Sequence, residues 1–178
     1  YMASFDIWNN RKRGFTHLTL HTKVMLMGEL ILVTFGTLSI LGWEWNQTLQ
    51  GLPLATKFQG ALFQAITPRT AGISTLNYAD LHPITVFITV VLMFIGAGPN
   101  STGGGIKIST MAVLWATSRS LFTNTRRVEI FERSLSQSVI YKACGIVFFS
   151  SIFVVLGTFV LAGVETFPFL DLLFEVTS

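Results

Sequence analysis

Charge is the scarcest commodity in this sequence. Asp, Glu, Lys and Arg make up 12 % of its 178 residues, about half the share found in soluble domains. A soluble domain needs a charged shell, so this deficit excludes an ordinary globular protein more firmly than the apolar fraction does. Cysteine is nearly absent. Cys144 stands alone, which rules out an internal disulfide framework and leaves the redox compartment open. No signal peptide is expected within this sequence, because the first apolar run follows the polar, basic stretch 1–23. The chain opens on Tyr1 and reads as an internal piece of a longer protein.

The charges that are present are clumped. Arg11, Lys12, Arg13 and Lys23 lie near the start, and Arg119, Arg126, Arg127, Arg133 and Lys142 lie together further on. Long uncharged stretches separate them, the pattern of a membrane protein. Nucleic acid binding would need a basic stripe with exposed aromatics. Here the basic residues flank apolar spans instead, so no nucleic acid partner is expected.

Five apolar segments follow. Residues 24–41 are long enough for a helix of about 27 Å, close to the hydrocarbon thickness, with Trp43 and Trp45 behind it where an aromatic belt belongs. Glu29 is the one charge inside this span. It either snorkels to the inner interface, being within two turns of Lys23, or partners a cation or an arginine. Residues 56–66 form a helix of about 16 Å, too short to cross, which ends at Thr67-Pro68 because proline cannot continue it. A polar turn, 68–75, leads to a returning segment that starts after His82-Pro83. A short helix, a polar turn and a return mark a re-entrant loop.

The returning segment, 84–118, is broken. Thirteen apolar residues, 84–96, make about 20 Å of helix. They stop at a loop rich in glycine and small polar residues, Gly96, Ala97, Gly98, Pro99, Asn100, Ser101, Thr102, Gly103, Gly104 and Gly105. Apolar character resumes at Ile106. Irregular backbone at mid-depth survives only where protein buries it or it lines a wet cavity, so this loop is a functional candidate on physical grounds. It is not a phosphate loop, because the Gly-Lys-Ser/Thr order is missing. A polar loop, 119–142, precedes a clean span at 144–164 and a further short helix at 167–178.

Two of these segments look alike. Leu62-Phe63-Gln64-Ala65 and Leu173-Phe174-Glu175-Val176 each lie in a short helix after a full span, 111 positions apart. A repeat of span, pore helix, loop and span accounts for both. The expected fold is therefore an all-α integral membrane protein, a span–pore-loop–span repeat of the potassium-channel-like type with a broken second span. Its parts are a cytoplasmic linker (1–23), one repeat (24–118), a cytoplasmic loop (119–142), and the first span and pore helix of the next repeat (143–178). The basic clumps place 1–23 and 119–142 in the cytoplasm.

A re-entrant helix aims its C-terminal end, with roughly half a negative charge, at the membrane centre. The carbonyl oxygens after it can replace the water shell of a monovalent cation. Gly72 suits such a turn, since it lacks the Cβ that would restrict the backbone. Arg69 stands beside this segment. A cation there is costly unless a carboxylate neutralises it, so Arg69 is expected to point off the axis, pair with an acid of the scaffold and brace the loop.

At Thr70-Ala71-Gly72, and along the string from Met93 to Lys107, the sequence resembles the Trk/Ktr/HKT superfamily of potassium transporters. The likeness covers essentially the whole chain, with the bacterial Ktr membrane subunit as the nearest type. The resemblance implies four repeats around one pore, of which this chain is the third and the start of the fourth. It implies that Thr70, Ala71, Gly72 and Ile73 form one filter segment, with potassium held at the Thr70, Ala71 and Gly72 carbonyls, and that Gly96 to Gly105 is a gate beneath it. The implied activity is potassium uptake across a bacterial cell membrane, with sodium or mixed sodium and potassium transport as the alternative. No covalently bound cofactor is implied. The implied partners are the remaining repeats, a second copy in a homodimer, a cytoplasmic nucleotide-binding ring and the lipid membrane. Two rivals differ in class. A tetrameric channel with one pore loop per chain is disfavoured by the broken span and the partial second repeat. An intramembrane enzyme is disfavoured because the spans lack a plausible set of His, Asp or Ser partners.

Overall fold

The computed structural model describes residues 17–69, 78–96, 105–123, 127–131 and 133–178. Helices dominate. In chain order they are α1 (Leu20–Glu44), α2 (Leu54–Ile66), a 3-10 turn at Tyr78–Asp80, α3 (Pro83–Phe94), α4 (Ile108–Phe122), α5 (Gln137–Val164) and α6 (Phe169–Thr177). A two-stranded antiparallel hairpin, β1 (Glu129–Ile130) with β2 (Arg133–Ser134), sits between α4 and α5.

α1 and α5 are long and apolar enough to cross a membrane. Their 25 and 28 residues correspond to about 37 and 42 Å of helix. Both run past the bounds read from hydropathy. α1 gains a turn at each end because Thr19 accepts the Thr22 N–H as an N-cap, and its last turn carries Trp43 and Glu44. α4 continues to Phe122, and α5 starts at Gln137, where Ser136 is the N-cap residue. The polar loop between them is therefore shorter than expected, and it folds into the hairpin instead of remaining irregular. Phe131 turns the hairpin with a φ of 49°, and Leu135 N–H closes it on the Val128 carbonyl.

Packing follows a membrane logic. Large apolar side chains such as Leu30, Ile31 and Leu38 on α1, and Phe153, Phe159 and Val160 on α5, lie on the outside. Small residues fill the helix contacts, which lets backbones approach closely. α1 packs on α2, α3 and α4. Gly36 is the seat for the first two: a Cβ there would stand 3.0 Å from Ala65 Cβ on α2 and 2.9 Å from Leu92 on α3. Gly28, two turns lower, receives Ile108 at the start of α4. Ile40, Leu49, Ala61 and Ala65 form the apolar core between α1 and α2.

The second span joins this unit from the side. α5 packs on α4 and on α6, and α6 packs on α3. Gly157 of α5 admits Val176 of α6, while Tyr78 and Phe174 stack obliquely at 4.8 Å between centroids. α2 ends at Ile66 and α6 at Thr177, which are the same 111 positions apart as their sequence match. Their connections to the preceding spans differ in length, 45–53 against 165–168.

Candidate functional site

The site is built around an excursion of the chain from one end of α1 and back. Glu44 fixes that end. It is fully buried, and its two oxygens are both used: Oε1 accepts the His82 backbone N–H at 2.9 Å, and Oε2 accepts the Thr48 hydroxyl at 2.8 Å. Trp43 stacks on His82 with centroids 5.3 Å apart. His82 in turn accepts the Ile84 N–H on Nδ1, and Pro83 occupies the first helical position, where its missing N–H costs nothing. The start of α3 is thus tied to the end of α1. Lys57 adds a second tie near the start of α2, donating to the Trp45 carbonyl at 3.1 Å and lying over its ring.

Between these ties α2 descends along α1. It reaches the level of Gly36, about 12 Å below Glu44 along the helix, where Ala65 makes its contact. The helical path runs slightly beyond Ile66, with Thr67 N–H on the Phe63 carbonyl and Arg69 N–H on the Ile66 carbonyl. By His82 the chain is back at Glu44. The C-terminal end of α2, with its partial negative charge, therefore lies well below the end from which it entered.

Arg69 stands just past that end. Its side chain is 3 % exposed, and Nη1 donates to Glu29 Oε1 at 2.5 Å. This salt bridge joins α1 to the segment just past α2. Two other guanidinium nitrogens, Nε and Nη2, are buried without a partner among them. Glu29 therefore does not simply snorkel to the inner interface as its nearness to Lys23 suggested. It lies about 22 Å below Glu44 along α1, and an arginine forty positions later binds it.

The break in the second membrane segment has a closed neck. α3 ends at Phe94, and the Phe94 carbonyl accepts the Ile106 N–H at 2.8 Å. Gly105 has a φ of +76° and presses against Met93 and Gly96, so that a Cβ would meet the Met93 oxygen at 2.6 Å and the Gly96 nitrogen at 2.8 Å. Both the left-handed backbone and the close approach require glycine here. α4 restarts at Ile108, level with Gly28 and one residue from Glu29.

Of the residues singled out from sequence, Arg69, Gly96 and Gly105 are placed. Thr70, Ala71, Gly72 and Ile73, and the loop from Ala97 to Gly104, lie outside the described residues, as do 1–16 and Arg126. Among the described residues no group of three or more His, Cys, Asp or Glu side chains is arranged to hold a metal ion. Glu44 carried a signal that sequence reading passed over: a carboxylate between two tryptophans at the end of an apolar span needs a buried partner.

Residues 2–178 match the family model TrkH, cation transport protein. The chain is 38 % identical over 180 residues to the Ktr system potassium uptake protein B of Bacillus subtilis, covering all of this chain and 40 % of that protein. It is 32 % identical to the Ktr system potassium uptake protein B of Vibrio alginolyticus, over 97 % of this chain and 38 % of that one. The crystal structure of the potassium transporter TrkH from Vibrio parahaemolyticus superposes with a TM-score of 0.71 at 22 % identity, covering 93 % of this chain and 36 % of that chain. The chain belongs to the TrkH cation transport protein family and spans about two fifths of the length of the relatives it matches. It is membrane-embedded, and these relatives are named as uptake proteins and transporters, not as enzymes.

Proposed function

We propose that this chain is the third pore repeat, and the beginning of the fourth, of a subunit that takes up potassium across the cell membrane. The observation that carries the proposal is the excursion between Glu44 and His82: α2 descends beside α1, ends far below its entry, and the chain returns to the same end. That path suits a pore helix followed by a filter. Thr70, Ala71, Gly72 and Ile73 supply one of four filter segments, and the Thr70, Ala71 and Gly72 carbonyls replace the water shell of the passing ion. Selection uses backbone oxygens, the ion moves down its electrochemical gradient, and no covalent chemistry is involved.

Below this segment, Gly96 to Gly105 forms a constriction that opens and closes the path. Its neck at Phe94 and Ile106 supports that role, since it holds α3 and α4 together whatever the loop between them does. Arg69 braces the filter segment from outside the ion path. The regions 1–23 and 119–142 face the cytoplasm and a nucleotide-binding regulatory ring. One re-entrant loop cannot surround an ion, so the remaining repeats of the same protein complete the pore, and the complete subunit works as a homodimer. Sodium, alone or with potassium, is the alternative cargo, since a single filter glycine belongs to this chain.

The test is ion flux into liposomes holding the complete parent protein, comparing wild type with Gly72→Ser. Wild type should pass potassium in preference to sodium, and the variant should lose that preference. Equal selectivity in both would move the filter elsewhere. A folded wild type that passes no cation would end the transporter reading.

A further inference from the structure

We infer that Glu29 sets the sign of the electrostatic field at the foot of α2, acting through Arg69 as a positioning residue for ion passage. The inference rests on the proposed path of the ion past the end of this helix. Three charges meet there. The C-terminal end of α2 contributes about half a negative charge. Arg69, three residues beyond Ile66, contributes a full positive one. Glu29 restores a full negative charge through its contact with Arg69 Nη1. With all three present the sum is negative and favours a cation. Without Glu29 the sum becomes positive, and the helix end that should attract a cation repels it.

Glu29 is the carboxylate that meets the Arg69 guanidinium. The Arg69 side chain is buried, so water does not screen it, and no second carboxylate among the described residues pairs with it. Buried charges interact far more strongly than exposed ones. The two ends of the pair are unequal, since the side chain of Glu29 is 49 % exposed against 3 % for Arg69. A half-exposed carboxylate at this depth faces a wet cavity or a further protein surface, because contact with lipid is costly. Glu29 also follows Gly28, where Ile108 packs. The carboxylate thus reaches the foot of α2 through Arg69 and lies, along α1, at the level where the broken span restarts.

The experiment uses the complete parent protein in liposomes, with Glu29→Gln, Glu29→Asp, Arg69→Gln and the double variant Glu29→Gln/Arg69→Gln, each checked for folding by size exclusion and melting temperature. Glu29→Gln should lower potassium flux by about tenfold or more, the effect of one unneutralised charge beside the path. Glu29→Asp should retain more flux than Glu29→Gln. The double variant should recover several-fold over Glu29→Gln, because removing Arg69 returns the sum to negative. A merely structural salt bridge would show its recovery in melting temperature, so flux is compared per folded protein, where the field effect alone predicts a recovery. Wild-type flux in folded Glu29→Gln, or a folded double variant as impaired as Glu29→Gln, would overturn the inference. Where Glu29→Gln does not fold, the double variant decides: substantial flux supports the inference, and a folded double variant without flux overturns it. Gly72→Ser measured in parallel separates the two proposals, since altered selectivity there beside an unaffected Glu29→Gln removes only the role of Glu29.

Discussion

The Phe94 carbonyl accepts the Ile106 N–H at 2.8 Å, although eleven positions of sequence lie between them. The chain leaves the second membrane segment and re-enters it at one point, and Gly105 makes this possible. Gly105→Ala places a Cβ 2.6 Å from the Met93 oxygen in a left-handed backbone. Neither the oxygen nor the backbone can move aside as a flexible side chain would. The expected cost is about 2–3 kcal/mol, read as a lower melting temperature of the complete protein. A melting temperature equal to wild type would show that the neck is not needed.

Glu44 ties the top of α1 to the start of α3. Glu44→Ala strands the His82 N–H and the Thr48 hydroxyl and should destabilise by about 2–4 kcal/mol, as expected for bonds to a charged acceptor. Glu44→Gln keeps one acceptor oxygen and should cost clearly less. Denaturation of the two variants side by side checks the order, and equal losses would mean that the carboxylate is not bound as described.

Gly36 should tolerate nothing large. Gly36→Val wedges α1 away from Ala65 and Leu92, an overpacking cost of about 1–3 kcal/mol. Gly42, on the same helix, has open space around it. Gly42→Ala should therefore be neutral or slightly stabilising, by up to about 1 kcal/mol. Thermal melts of the pair test the contact, and a Gly42→Ala variant as damaged as Gly36→Val would refute it.

Opposite sides of the membrane should be reachable at two turns. Gly51 follows α1 at the end that carries Glu44, and Phe131 turns the hairpin between α4 and α5. In a parent protein with its native cysteines replaced, Gly51→Cys should react with an impermeant thiol reagent applied to intact cells. Phe131→Cys should react only after the membrane is opened. Labelling of both from outside would invert the orientation derived from the basic clumps.

Much of the fold was legible because membrane constraints are strict. The long span, the short helix stopped by Thr67-Pro68 and the break after Gly96 all follow from segment length against bilayer thickness. The helix ends were less legible, since they depend on caps such as Thr19 and on polar residues drawn into the last turn, as with Glu44. The hairpin was missed because Glu129, Ile130, Arg133 and Ser134 are too few to show a period of two. At the site, the need for an acid beside Arg69 follows from electrostatics alone. Which acid does not, because Glu29 lies forty positions away and the contact exists only once α2 has descended along α1. Glu44 was passed over for the same reason: its partners are a backbone N–H and a hydroxyl, and neither leaves a mark in composition.

The contact of α6 with α3, sealed by Tyr78 against Phe174, has a bearing on how such a chain is made. α3 is synthesised well before α6, so the flank of α3 that receives α6 stays open until α6 arrives. Each unit is therefore finished only by its successor, like a row of roof tiles in which every tile is pinned by the next. Maturation runs in the direction of synthesis, and a delay between the two halves would leave an adhesive flank open to the wrong neighbour.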